Sequence, residues 1–529
     1  MTHHTRASAS ADAPKHDYRK FLLNDFAAHL NKRVEDIISD TAEQFFYDDT
    51  YLENWAKRKE QAKALIETCL LPLNRQHALI NVSGAYGVAD FRSLEQPLAY
   101  NPDIERAWTP RAMPDMHGLK DFDVRFEDRS VTVISKGKYV SKKATHVWRE
   151  WRYRRVYQRG FLLAPGIEQK DLPECYNTWA GWGIEVDTTE EQRPEAWATL
   201  RKHIEEAYFE GNKRNIEWFY SWLSDMFTNP MSKPESAIVL RGSKGAGKSL
   251  MADVMHKLIG PRHFARLDKP SQLTGQFNGH LAPTILVDVE EAFFSGSKEA
   301  EGILKSWITS EDVQIRLMRT DGYMARNFSR FMFTSNSEWV IPATQDERRF
   351  FVIDVSEKFR GNKEHFEMLH AELKLTGGYE EFFKFLLTWK KPAWVQLNQP
   401  PKTQALSRQV EESLSIPERF FWNAVKTGDR YPMPDGGEFY RSEVHAAYVD
   451  WVSKHGSKYD ATNDRKFATL MDKYWHVEKL PRRVDRKTGN KETVYKAMPL
   501  GDLRTLLMDE MSLHDDAFDC DDDEEFACD

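Results

Sequence analysis

Eight consecutive residues, Gly242, Ser243, Lys244, Gly245, Ala246, Gly247, Lys248 and Ser249, have the spacing of a phosphate-binding loop: glycine, four residues, then glycine, lysine and a hydroxyl. Several backbone N–H groups must converge on phosphate oxygens in such a loop, which calls for positive φ or close approach at Gly242, Gly245 and Gly247. Lys248 then reaches the β and γ phosphates and Ser249 holds Mg²⁺, so the expected ligands are ATP and Mg²⁺. A hydrolytic site also needs one carboxylate for the metal and a second to orient the attacking water. Asp288, Glu290 and Glu291 are the candidates. Asn336 can touch the γ-phosphate or the water, and Arg348 and Arg349 complete the parts of a phosphoryl-transfer site.

Four apolar runs have to position these groups. Residues 237–240 read as a buried strand entering the glycine loop, and residues 250–258 as the helix leaving it, its partial positive end aimed at the same phosphates. Residues 283–291 predict a second buried strand ending in the acids. Residues 328–336 predict a third that ends in Asn336, and 350–353 a fourth that follows the paired arginines.

The ordered series from the loop through VDVEEAFFSGSKEAEGILKSWIT, FTSNSEWVIPA and DERRFFVIDVS resembles the superfamily 3 (AAA+) helicases of phage and poxvirus primase-helicase proteins, the phage-type group above all. The upstream segment Cys175-Tyr176-Asn177-Thr178-Trp179-Ala180-Gly181-Trp182, after Pro165-Gly166, carries the same likeness. The resemblance implies an ATP-driven helicase that assembles as a homo-oligomeric ring, a hexamer, around single-stranded or forked DNA. It implies that Asp288 or Glu290 holds the metal, Glu291 orients water, Asn336 senses the γ-phosphate, and Arg348 or Arg349 reaches a neighbour's nucleotide. Residues 314–327 correspond to a pore hairpin with Arg316, Arg319 and Tyr323 as DNA contacts. The chain departs from the family twice: Glu290-Glu291 stands where Asp-Glu is usual before Ala-Phe, and Met318 where relatives carry a lysine. A nucleotide-gated DNA-binding switch or defence ATPase that does not unwind stays open as a second class. A packaging motor is a third, although no nuclease-like cluster of acids stands out.

The expected fold class is α/β: an AAA+ P-loop NTPase core with an N-terminal α+β domain, a helical collar and a C-terminal winged-helix-like domain. A chain of 529 residues can hold three or more domains. Residues 1–15 read as disordered and 16–190 as the N-terminal domain, with Phe21, Leu22, Phe26, Leu30, Ile37 and Ile38 on one helical face. Asp121 and Asp123 read as the polar face of an alternating strand rather than a metal pair, so a primase or polymerase is expected as a separate partner. Residues 136–159 hold nine Lys or Arg against Glu150, interleaved with Tyr139, Trp148, Trp151, Tyr153 and Tyr157. They suit single-stranded nucleic acid, or else two tryptophans packed beneath a solvated basic face.

Residues 191–235 read as a helical collar for ring contact, 236–389 as the motor and 390–416 as a proline-rich linker. Residues 417–508 read as the winged-helix-like unit, its basic hairpin turning at Thr488-Gly489-Asn490. The net charge of −8 conceals a tail, 509–529, in which residues 515–529 hold nine acids and no base, leaving the rest of the chain near neutrality. Such a block reads as a solvated end or a partner-docking tail around Phe518 and Phe526. Cys69, Cys175, Cys520 and Cys528 form no CxxC pair, which argues against structural zinc. The chain lacks an apolar run of the roughly 18 residues a membrane helix needs, and its first residues lack the apolar stretch of a signal peptide, so the expected location is cytoplasmic, with no membrane partner.

Overall fold

A computed structural model describes residues 22–94, 113–269, 271–275, 277–290, 298–317, 322–337, 340–341, 347–428, 435–455, 464–484, 489 and 491–510. Residues 1–15, Phe21, Glu291, Met318, Arg319 and the acidic residues 515–529 lie outside that set, and so do Thr488 and Asn490 of the basic turn. The protein is mixed α/β. Among the described residues no helix is long and apolar enough to cross a membrane.

Five parallel strands form the central sheet. The loop strand, Ala237–Arg241, lies between the amide strand, Arg330–Ser335, and the arginine strand, Phe350–Asp354. The acid strand, Leu286–Glu290, flanks the amide strand, and Phe264–Leu267 forms the far edge. Parallel strands are covered on both faces, which is why these segments read as continuous apolar runs instead of alternations. The register sets Leu240 level with Thr334 and Ile353, and Thr334 level with Glu290. The loop, the acids and Asn336 therefore leave the sheet at one rim, the carboxyl ends of the strands, where open α/β sheets bind ligands. Arg348 and Arg349 enter at the opposite rim, just before Phe350, which pairs with Ala237. Five residues of strand at ~3.3 Å each separate the two rims by about 17 Å.

Two helical layers cover the sheet. On one face Trp218, Phe219, Trp222, Leu223 and Met226 of helix Lys213–Thr228 belong to one buried cluster with Ile238, Leu240, Phe351 and Ile353, and with Phe382, Phe383 and Leu386 of helix Gly378–Thr388. The segment expected to serve as a collar for ring contact is thus a layer of the chain's own core: its aromatic stripe is spent on the sheet beneath it. On the other face Val239, Val287, Phe333 and Val352 meet Leu304, Trp307, Leu406 and Val410. The last two belong to helix Gln404–Ser413, inside the segment expected as a linker. Thr403 caps that helix by accepting from the Leu406 N–H, and its hydroxyl donates to Val352 O at 2.7 Å. Gln409, fully buried, accepts from Val340 N at 2.7 Å. The prolines end one element, but an amphipathic helix docked on the arginine strand follows them.

The N-terminal helices Val34–Phe46 and Trp55–Leu65 precede an antiparallel pair, His77–Val82 and Ala85–Asp90, joined at Ser83 and Gly84 with φ of +52° and +87°, the left-handed values a tight hairpin needs. Phe26, Ile37 and Ile38 are buried as their helical spacing implies, whereas Leu22 is exposed. Asp121 and Asp123 sit on a helix, Leu119–Arg125, and not on a strand. Phe122 and Phe126 satisfy both periods and Val124 only the alternation, so Val124 at 66% exposure shows that the four-residue period won. Asp123 is held by Arg149 at 2.7 Å and His146 at 3.0 Å.

Trp148 and Trp151 are fully buried, their indole N–H groups donating to Asn74 Oδ1 and Thr41 Oγ1, both at 3.1 Å. The basic stretch therefore spends its tryptophans on the core and leaves Tyr139 at the surface. Trp148→Ala is expected to lower stability by about 3–5 kcal/mol through the cavity it leaves. A denaturant-melting midpoint within error of the parent would contradict this packing.

Helices Ile416–Thr427, Arg441–His455 and Asp464–Trp475 pack Phe421, Tyr448, Phe467 and Trp475 into one core. Beside them an antiparallel sheet runs in the order Glu438–Tyr440, Lys491–Lys496, Glu478–Val484.

Candidate nucleotide site

Gly242, Gly245 and Gly247 have φ of +149°, +84° and +93°. A Cβ at Gly242 would stand 2.8 Å from Val355 O, and one at Gly247 only 2.4 Å from His203 Nε2. Helix Lys248–Ile259 starts directly after the loop. The Lys248 ammonium, 7% exposed, donates to Gly242 O and Ser243 O at 2.6 Å and to Asn336 Oδ1 at 2.7 Å, so the loop lysine and the amide of the neighbouring strand already touch. Residues that local spacing could not reveal support the loop from behind. The Tyr208 hydroxyl donates to Gly247 O at 2.9 Å, and the Ser243 hydroxyl donates to Glu357. A π-helical turn, Ile204–Tyr208, separates His203 from Tyr208 so that both face the loop, a feature with no sequence signature.

The two metal candidates separate. Asp288 is fully buried and accepts from Arg266 Nε at 2.8 Å; burial pushes its carboxyl up to about 7 against the pull of that guanidinium. Arg266 also lies 3.3 Å from Glu290 and 2.9 Å from Asp253. Glu290, at the strand end, lines a cleft of about 350 Å³ together with Lys248, Ser249, Asp253 and Asn336. Asp288 retains an unpartnered buried Oδ1. Among the described residues no group of three His, Cys, Asp or Glu could cage a metal. One hydroxyl and one carboxylate fit Mg²⁺ bound chiefly through water and phosphate oxygens.

The paired arginines also divide. Arg349 donates to Glu347 Oε1 at 3.1 Å, and the same buried oxygen accepts the backbone N–H groups of Arg348 and Arg349. Arg348 is exposed. Strands Asp312–Ile315 and Tyr323–Arg326 pair antiparallel, with Arg316 exposed beyond them. Tyr323, expected as a DNA contact, is half-buried. Its ring packs between the motor core and the N-terminal cluster of Ile80 and Phe91, and burial raises its hydroxyl pKa. Ser83 of the N-terminal hairpin donates to Gly322 O at 2.9 Å, joining the same two regions.

The Trp179-Ala180-Gly181-Trp182 segment has a structural role here. Trp179 stacks on His263 with ring centroids 4.6 Å apart, and the Ala180 N–H donates to His263 Nε2 at 2.9 Å while Nδ1 donates to Pro283 O at 2.7 Å. Burial holds His263 down at about 4, and does the same for His77 and His203. A base depressed on folding contributes fully above its unfolded pKa of about 6.5 and loses that contribution as pH falls towards 4. Stability should therefore fall by up to about 1.4 kcal/mol per pH unit for each such ring across that window. His263→Gln should flatten the slope of urea midpoint against pH, and an unchanged slope would contradict a buried neutral ring.

Residues 240–349 match the model of a family of unknown function (DUF5906). Over 149 residues the chain is 26% identical to the DNA primase-polymerase of Nitratiruptor phage NrS-1, a stretch covering 28% of this chain and 20% of that relative's length. The fold is similar to the apo structure of the NrS-1 C-terminal region (305–718), with a TM-score of 0.51 at 16% identity over 82% of this chain and 97% of that one. The A-form apo structure of the same region gives 0.51 at 15% identity, over 82% and 98%. The chain thus shares sequence with part of a phage primase-polymerase and its fold with that protein's C-terminal region.

Proposed function

We propose that the chain is an ATP-driven DNA motor of phage DNA replication, with an AAA+ core of the superfamily 3 helicase kind, working on single-stranded or forked DNA as a ring. The observation that carries this reading is the single cleft shared by Lys248, Ser249, Glu290 and Asn336 at one rim of a parallel sheet. The loop N–H groups and the helix Lys248–Ile259 would receive the phosphates of ATP. Lys248 would exchange the loop carbonyls for β and γ oxygens, and Asn336, bonded to it, would register that exchange. Ser249 and Glu290 would hold Mg²⁺, whose part is to neutralise charge between the phosphates; Asp288, buried and paired with Arg266, would support Glu290 from behind. Arg348 would stabilise the transferred phosphoryl of a neighbouring subunit. The helices and antiparallel sheet beyond residue 416 would act as a winged-helix-like unit, and a primase or polymerase partner would use the exposed strand.

Strand displacement on a forked duplex tests the proposal against a nucleotide-gated switch: a motor consumes ATP and separates the strands, whereas a switch leaves the fork intact. Replacing Arg316 and Arg319 together with Ala should lower DNA-stimulated ATP turnover and unwinding several-fold more than basal turnover. Equal losses in basal and stimulated rate would show that the hairpin is structural.

A further inference from the structure

The cleft is lined by two kinds of group. Lys248, Glu290 and Asn336 are polar, whereas Leu250, Phe366 and His370 bring an apolar chain and two rings. Phe366 and His370 lie four residues apart on helix Lys363–Leu375, hence on one face, and Asn362 caps that helix by accepting from the His365 N–H at 3.0 Å. The Phe366 ring reaches the loop itself: a Cβ on Gly247 would stand 3.2 Å from its Cε1. Its rear is fixed by a block of rings. His203 and His365 lie 5.6 and 5.4 Å from it, centroid to centroid, His365 stacks on Phe359 at 3.9 Å and 3°, and His203 Nδ1 meets His365 Nε2 at 3.1 Å. The Phe366 ring, packed against these rings and lining the cleft, offers the cleft a flat surface, with the exposed His370 imidazole one turn away.

We propose that Phe366 and His370 form the shelf on which the nucleobase of the bound triphosphate lies. The inference rests on the nucleotide-site reading above. With the γ-phosphate beside Lys248, Glu290 and Asn336, the ribose and base of the same molecule must occupy the rest of the cleft, whose lining includes the rings of Phe366 and His370. Stacking on a phenyl face reads the π surface of a base and not its hydrogen-bonding edge. The site therefore accepts purine nucleoside triphosphates as a class and separates ATP from GTP weakly. It separates either of them strongly from the bare phosphate chain.

The test uses the full chain with Mg²⁺ and three probes: ATP, GTP and inorganic tripolyphosphate. Phe366→Ala should weaken ATP and GTP about tenfold or more and leave tripolyphosphate unchanged, and Phe366→Tyr should restore purine binding. His370→Ala, at an exposed position that folding does not need, should weaken the two purine nucleotides a few-fold and tripolyphosphate not at all. Losses shared by all three probes would mean that the loop had been disturbed, and no loss would place the base elsewhere; either result overturns the shelf. Photolabelling of the unsubstituted protein with 8-azido-ATP should mark the peptide containing residues 363–375, and a label elsewhere also overturns it. Lys248→Ala separates the two layers of the argument, because it should weaken all three probes. If it weakens none, the nucleotide site itself is wrong and the shelf falls with it. If it weakens all three while the Phe366 and His370 variants change nothing, only the shelf falls.

Discussion

Lys248→Ala is expected to remove ATP hydrolysis, a loss of about 10³-fold or more in turnover, with little change in the denaturation midpoint. Its ammonium is the one described cation that the loop wraps, bonded at 2.6 Å to two loop carbonyls and at 2.7 Å to Asn336. On the proposed reading a charge poised there would act on phosphate oxygens, and electrostatic stabilisation of the transferring group supplies most of the catalysis in such sites. The fold should tolerate the change because the helix behind the loop is anchored by Leu250, Met251 and Met255, not by the lysine, and alanine is the best helix former for the vacated position. Phosphate release and urea melting measured on the same preparation decide the matter. Turnover near the parent rate would remove the loop from the mechanism, and a protein that melts early would turn the lysine into a structural residue.

The second large effect is expected from mixing subunits. Arg348→Ala alone should cost about 10³-fold in turnover, the range seen when a finger arginine is withdrawn from a phosphoryl-transfer site. Arg349 is tied to Glu347, so Arg349→Ala should act mainly on stability. The arginines stand about 17 Å along the sheet from their own loop, beyond the reach of a side chain. A subunit carrying Lys248→Ala keeps its arginine, and a subunit carrying Arg348→Ala keeps its loop. Combined, they should recover activity at interfaces where an intact loop faces an intact Arg348. Native mass measurements must show that the two proteins have exchanged; if they have and the mixture stays inactive, Arg348 does not act across an interface.

Reading the sequence went furthest where chemistry is local. The glycine loop, its strand and its helix are contiguous, so their types and spacing carried nearly all the information needed to place them. The acids were harder, because Asp288 and Glu290 share one side of a strand and only the arrival of Arg266 from the edge strand distinguishes a buried partner from a cleft residue. The arginines posed the same problem: nothing in Glu347-Arg348-Arg349 says which guanidinium folds back. Trp218 and Trp222 read as a collar and the segment of Leu406 and Val410 as a linker, since an apolar stripe does not announce which surface will cover it. The aromatic block around Phe366 joins His203 to His365 across 162 positions, and no periodicity within one segment could have shown it.

The loop and Arg348 occupy opposite rims of one sheet, so a subunit working as proposed would have a head that accepts and a tail that donates. Units of that kind associate heterologously, head to tail, and an open row always leaves one head and one tail unmatched. A row of two subunits would possess a single completed site, each added subunit would contribute one more, and only closure would equip every loop with an arginine. Activity per subunit should then rise with protein concentration and level off when the row meets its own end, so that enzymatic competence itself would report topological closure.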